Sequence, residues 1–209
     1  MPKAITLIRC LCQWILFIHG AIAFGGTQVV QAPIYDLLDS MSDVIIQETL
    51  LVEDREKKID FDQLIRLDQD HALSWVLKNT RNLGYSASRL WLKFEIKNSS
   101  NSYSDWVIEQ RYPLLQKINV FIKRNEQLSA FETGRLHLFS ERPYQHRNQI
   151  SPIRVKKGEM TSVYVQVESQ GPIQVLFTLH EKNSFLSSSS TESVWLGIYL
   201  GTMIAMLGD

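Results

Sequence analysis

Leu90-Trp91-Leu92-Lys93-Phe94-Glu95-Ile96-Lys97-Asn98 decides the fold class of this chain. Leu90, Leu92, Phe94 and Ile96 alternate with Trp91, Lys93, Glu95 and Lys97. A period of two places the first set on one face of a β-strand and the second on the other. Working outward, the same alternation recurs. Ile118, Val120 and Ile122 form one set, Val163, Val165 and Val167 another, and Ile173, Val175, Phe177 and Leu179 a third. Residues 106–111 and 150–155 read as further strands, and 131–134 and 136–139 as weaker ones. Val44-Ile45-Ile46 and Leu50-Leu51-Val52 are the first apolar runs. Polar turns separate the runs, Gly171-Pro172 among them.

About eight short strands at this spacing predict an all-β, antiparallel jelly roll or β-sandwich. One face of each strand is apolar and the other polar, as when a sheet covers a core on one side. Long helical patterns that would carry parallel crossovers are absent. Residues 60–65 read as one short helix. Asp60 is its cap, Gln63 lies three residues on, and Phe61, Leu64 and Ile65 share a face.

Two hydrophobic segments bracket the β-rich region. Residues 1–23 have the three parts of a secretory signal: Lys3 and Arg9, an apolar run over 10–22, and Ala21-Ile22-Ala23. Cleavage is expected near Phe24; the alternative is an uncleaved anchor, for which the run is short. Both cysteines, Cys10 and Cys12, lie in this signal, so the mature domain has neither disulfides nor thiolate zinc ligands. Residues 194–209 contain an uncharged run to Leu207, with Trp195 and Tyr199 near its start and Gly197 and Gly201 at small-x-x-x-small spacing. This run is too short to span a bilayer and reads as the start of a membrane helix, cut short. The expected organisation is a signal peptide at 1–23, a lead-in at 24–43, a sandwich at 44–180, a linker at 181–193 and the membrane segment at 194–209.

Loss of Lys3 and Arg9 takes the 22 basic side chains to two fewer than the 22 acidic ones. That balance argues against a nucleic-acid partner. No catalytic motif is visible, and no cofactor is implied. His71, His137, His146 and His180 lack metal-ligand spacing. No Gly-x-Ser-x-Gly elbow exists, and nothing selects a glycosidase pair among Glu95, Asp105, Glu109 and Glu132. Binding is better supported than catalysis. Trp91 lies on the polar side of its strand and is a candidate platform for a sugar ring; the alternative is that it packs under a loop or against the second sheet. Arg142, Tyr144, His146 and Arg147 cluster in the loop 141–148, where arginine forks suit carboxylates or hydroxyls. The alternative there is a solvated loop. The ligand-binding expectation is Trp91, Arg142, Tyr144 and Arg147. Asn98-Ser99-Ser100 fits a glycosylation pattern but reads as a turn.

Leu83-Gly84-Tyr85 followed by Leu90-Trp91-Leu92-Lys93-Phe94 and a strand ending at Asn98 resembles a known family. It is similar to the type 2 extracellular sensor domain of bacterial seven-transmembrane receptors with diverse intracellular signalling modules. Trp106, Tyr112-Pro113, Val120-Phe121, Gly134, Arg142-Pro143, Arg147 and residues 163–167 follow in the family's order, and residues 197–201 resemble its first membrane helix. The resemblance implies a carbohydrate-binding-like jelly roll, exported to the periplasmic face of the inner membrane. It implies a small-molecule or carbohydrate ligand, a membrane attachment and a cytoplasmic kinase or diguanylate cyclase output. It implies a sensor and not an enzyme, with the six further helices and the output lying outside this chain. A homodimer, or a protein-interaction module without a small ligand, is the alternative.

Overall fold

The computed structural model describes residues 30–102, 104–125 and 127–207. The expected signal segment, 1–23, lies outside the described residues. Two sheets face each other. The larger runs in the order β4 (Val76–Asn79), β3 (Glu48–Asp54), β5 (Arg89–Asn98), β10 (Met160–Glu168), β7 (Lys117–Arg124) and β8 (Gln127–Thr133). The smaller runs β2 (Asp43–Ile45), β11 (Phe177–Glu181), β6 (Asp105–Gln110) and β9 (Gln149–Arg154). All these pairings are antiparallel. The exception is β1 (Ile34–Leu37), which lies within the expected lead-in and pairs parallel with residues 95–98 of β5. The chain is thus an antiparallel β-sandwich, as its alternation predicts.

The alternating sets face the core. Leu90, Leu92, Phe94 and Ile96 of β5 meet Trp106 and Ile108 of β6 and Phe177 and Leu179 of β11 in one buried cluster. Asn98 at the end of β5 is buried, donates to the carbonyl of Val155 at 2.6 Å and accepts from the Ser100 amide at 2.9 Å. It joins the larger sheet to the segment leaving β9 and fixes the following turn.

The outer face of the larger sheet is not polar throughout. Helix α1 (Phe61–Gln69) lies across it, with the expected capping box: Asp60 accepts from the Gln63 amide at 2.7 Å, and the Asp60 amide donates to Oε1 of Gln63. Leu64 packs on Trp91 and Tyr164, with Phe61 stacked on Phe121 at 4.3 Å. Asp68 pins the helix by accepting from Trp75 Nε1 (2.6 Å), Lys93 Nζ (2.7 Å) and the Tyr164 hydroxyl (3.0 Å). Trp91 is fully buried here, so it is a packing residue and offers no face to a sugar ring.

Residues 171–176 keep Ile173 and Val175 in the core but form no strand. Their amides instead bond the carbonyls of Gly84 and Thr80. Residues 136–139 are likewise not a strand. Gly134, with φ +128°, turns the chain so close to Gln116 that a Cβ would collide with its carbonyl oxygen, and the loop ends in a 3-10 turn, Phe139–Glu141. Helix α2 (Lys182–Leu207) starts directly after β11 and runs through the serine tract expected as a linker. Hydroxyls of Ser188 and Thr191 donate to the carbonyls of Phe185 and Ser187, so these two polar side chains are satisfied within the helix. Among the described residues no helix is long and apolar enough to cross a membrane.

Replacing Trp91 by Ala removes the ring that α1 covers. We expect a loss of about 3–5 kcal/mol in denaturant unfolding, far above the cost of losing an exposed aromatic. A loss below about 1 kcal/mol would contradict this packing role.

A candidate ligand site beside helix α2

Alternation on the smaller sheet sends Asp105, Val107 and Glu109 of β6, and Thr178 and His180 of β11, to the side away from the core. α2 begins on that side. Phe185 packs against Val107 and Ile150, with Tyr144 at the edge of the cluster. Glu181 fixes the first turn, its carboxylate accepting from the amides of Asn183 (2.9 Å) and Ser184 (2.6 Å). Acceptors placed at the free amides of a helix start stabilise it.

Beside this turn, three adjacent strands each supply one member of a charged cluster. His180 of β11 lies opposite Asp43 of β2 in the ladder. Its Nδ1 is 2.6 Å from Asp43 Oδ1, and its Nε2 is 2.9 Å from Glu109 Oε2. Glu109 also accepts from Arg111 Nε at 2.8 Å and, on Oε1, from Asn148 Nδ2 at 2.7 Å. Burial alone would pull the His180 pKa down, but hydrogen bonds and charges from Glu109 and Asp43 outweigh it and the net shift is upward. Burial likewise pushes Glu109 up, yet the hydrogen bonds from His180, Arg111 and Asn148 prevail and hold it at about 2. The stable state is an imidazolium between two carboxylates.

This cluster forms the floor of a cleft of about 370 Å³. Arg111, His146, Arg147 and Asn148 line one side; Phe185, Ser188 and Ser189 of α2 line the other. The Nδ1 of His146 accepts from the Asn148 amide at 3.1 Å, and its ring meets Phe185 edge-on. A second cleft, of about 350 Å³, opens near Lys182. Trp106, Phe131 and Tyr144 give it aromatic walls, and Arg124 and Arg154 its cationic ones.

The sequence-predicted site residues therefore separate. Arg147 lines the polar cleft and Tyr144 the aromatic one. Arg142 is turned into the loop: its Nη2 donates to the Gly134 carbonyl at 3.1 Å and its guanidinium lies over Phe139. Trp91 is remote, beneath α1. His180, Glu109 and Arg111 were not singled out for binding. His180 lies far in the chain from Glu109 and Arg111, and only the pairing of β11 with β6 brings them together.

A model of the 7TMR-DISM extracellular 2 family matches residues 47–181, from before β3 to the end of β11. The chain belongs to this family. The sensor domain is accordingly an outward-facing input module of the seven-transmembrane receptors that carry diverse intracellular signalling modules. A search of curated proteins returns no match. Among solved structures, the chain is similar to the β-glucuronidase of Ruminococcus gnavus, at 7% identity and a TM-score of 0.37, over 72% of this chain and 30% of that one. The same enzyme in complex with D-glucaro 1,5-lactone gives 7% identity and a TM-score of 0.36, over 73% and 32%. The sensor chain thus spans about a third of the enzyme's length.

The charged cluster contributes to the pH dependence of stability on both sides. Because the folded pKa of His180 is raised, its contribution is complete below the ordinary value of 6.5 and fades as pH rises through the raised one. Because that of Glu109 is depressed, its contribution is complete above the ordinary 4.5 and is lost as pH falls towards about 2. Thermal stability is expected to be greatest between pH 4.5 and 6.5. His180→Gln should flatten the decline on the alkaline side. Parallel melting curves for the two proteins across pH 6 to 9 would remove the cluster from this account.

Proposed function

We propose that the domain senses a small polar ligand, a carbohydrate or metabolite, in the cleft beside α2, and that α2 carries the response towards the membrane. One observation carries this reading. The first turns of α2 form a wall of the cleft, and the same helix continues without a break into the exposed apolar residues Trp195, Ile198, Tyr199 and Ile204. A ligand bridging Arg147 or Arg111 to Ser188 or Ser189 favours one placement of the helix over another, and it shifts the receptor by that difference in affinity. The apolar segment is the start of the first membrane helix, the exported domain faces the periplasm, and the kinase or cyclase output is carried elsewhere in the receptor. The sensing unit is the sandwich from β1 to β11, wider at its start than the 44–180 expected, and is preceded by a removable signal at 1–23.

The role is binding and not catalysis. Glu109 holds its proton affinity far below that of a general acid. Asp105 is tied to Arg154 at 2.5 Å and is likewise shifted downward. The remaining carboxylates first considered for a glycosidase pair, Glu95 and Glu132, lie on the larger sheet. A second reading, a protein-interaction or dimerisation module, draws on the exposed Leu136, Leu138 and Phe139 of the loop after β8.

A thermal-shift screen of the full chain in detergent, over glycans and metabolites, should find a compound that raises the melting temperature. That compound should also slow amide exchange over residues 182–189. Stabilisation of the whole domain without protection of these residues would move the site away from α2. Concentration-dependent crosslinking through the 136–139 loop, with no ligand found, would favour the interaction module.

A further inference from the structure

The walls of the polar cleft are unequal in charge. Arg111 and Arg147 line it, and Glu109 is the only carboxylate among its lining residues. Both oxygens of Glu109 are already engaged, Oε1 by Asn148 and Oε2 by Arg111 and His180. Two further carboxylates among the described residues are also engaged. Asp43 accepts from His180 on the far side of the ring, and the oxygens of Glu181 are held by the amides of Asn183 and Ser184. Arg111 reaches Glu109 through Nε alone; among the described residues its two terminal nitrogens have no partner. The Nδ1 of His146 accepts a backbone hydrogen bond, which leaves the ring proton on Nε2 as a donor. Among the described residues the lining therefore presents donors around the unpartnered end of Arg111, and its one negative group is neutralised from beneath.

We propose that this cleft is an oxyanion site, taking a small ligand that carries a carboxylate or a phosphate group. Arg111 receives the oxyanion through its terminal nitrogens, the planar geometry that carboxylate and phosphate oxygens match. Arg147, which already has an interaction of its own, lines the loop side of the cleft, and Ser189 lines the helix side. His180 does not touch the ligand. It neutralises Glu109, which would otherwise repel an anion from the floor. A cleft of about 370 Å³ admits a molecule the size of a sugar acid or a small di- or tricarboxylate. The inference rests on the sensor reading of this cleft and narrows it, because a neutral sugar leaves the terminal nitrogens of Arg111 without a charged partner.

The test is calorimetric titration of the full chain in detergent with galacturonate against galactose, and with citrate against inorganic phosphate. Imidazole resonances of His146 and His180 report occupancy. Galacturonate is expected to bind at least about tenfold more tightly than galactose, a difference of the size a charge-assisted pair supplies. Arg111→Gln and Arg147→Gln should each weaken it about tenfold, while Arg55→Gln, a charge removed from an exposed site on another strand end, should not. Competition by citrate but not phosphate assigns a carboxylate; the reverse assigns a phosphate. Equal binding of galactose and galacturonate, insensitive to both cleft variants, overturns the oxyanion site while leaving the sensor reading in place. Silence of both imidazoles to every probe at about 20 mM, well above the range of a weak complex, overturns both.

Discussion

Strand β5 is hydrogen-bonded along both edges and covered on both faces, and the rest of the domain is arranged around it. One edge is taken by β10 along its length. The other is shared: β3 pairs with residues 89–93, and β1 continues along residues 95–98 in the opposite sense. Inward, Leu92 and Phe94 are sealed in the sandwich core; outward, Trp91 is sealed beneath α1. A strand so enclosed cannot slip by one residue, since a slip would exchange the two buried sets. It fixes β10, β10 fixes β7, and the second sheet must lie where the Leu92 and Phe94 face requires it.

The smaller sheet is fixed differently on its outer side. There the cover is not a layer of apolar residues but one aromatic anchor, Phe185, beside a buried imidazolium held between carboxylates. Burying charge is costly unless each partner is satisfied, and removing one partner leaves the others exposed to that cost. Here each of the three adjoining strands carries one partner, so the cluster cannot form unless β2, β11 and β6 are in register. The contrast suits a sensor: the larger sheet is a rigid frame, and the smaller one meets solvent through groups that respond to charge.

Much of the frame was legible in the residues. Period-two alternation located β5, β7 and β10, and the Asp60 and Gln63 pair located the start of α1, which runs on past the expected Ile65 to Gln69. Legibility failed where tertiary pairing overruled local pattern. Residues 171–176 have a strand's apolar period, but their backbone bonds go to the corner at Thr80 and Gly84. Trp91 looked solvent-facing because its neighbours Lys93 and Glu95 are polar; α1, contributed from thirty residues upstream, covers only that part of the face. β4 is exposed throughout, and its adjacent Val76 and Leu77 give no alternation to read. The cleft was half visible: the loop 141–148 announced itself by composition, and Arg147 lines the site. Its floor was invisible, because Asp43, Glu109 and His180 meet only through strand order.

The serine tract has a consequence for how force travels. A flexible linker between domain and apolar segment would act as a swivel, letting either end turn without the other. Here the hydroxyls of Ser188 and Thr191 bond back to the helix's own carbonyls and one helix runs from Lys182 to Leu207, about 39 Å of rod at 1.5 Å per residue. Such a rod is an axle. A few degrees of roll at Phe185 emerge as the same roll at Trp195 and Tyr199, so on the proposed reading a response can be carried by rotation alone.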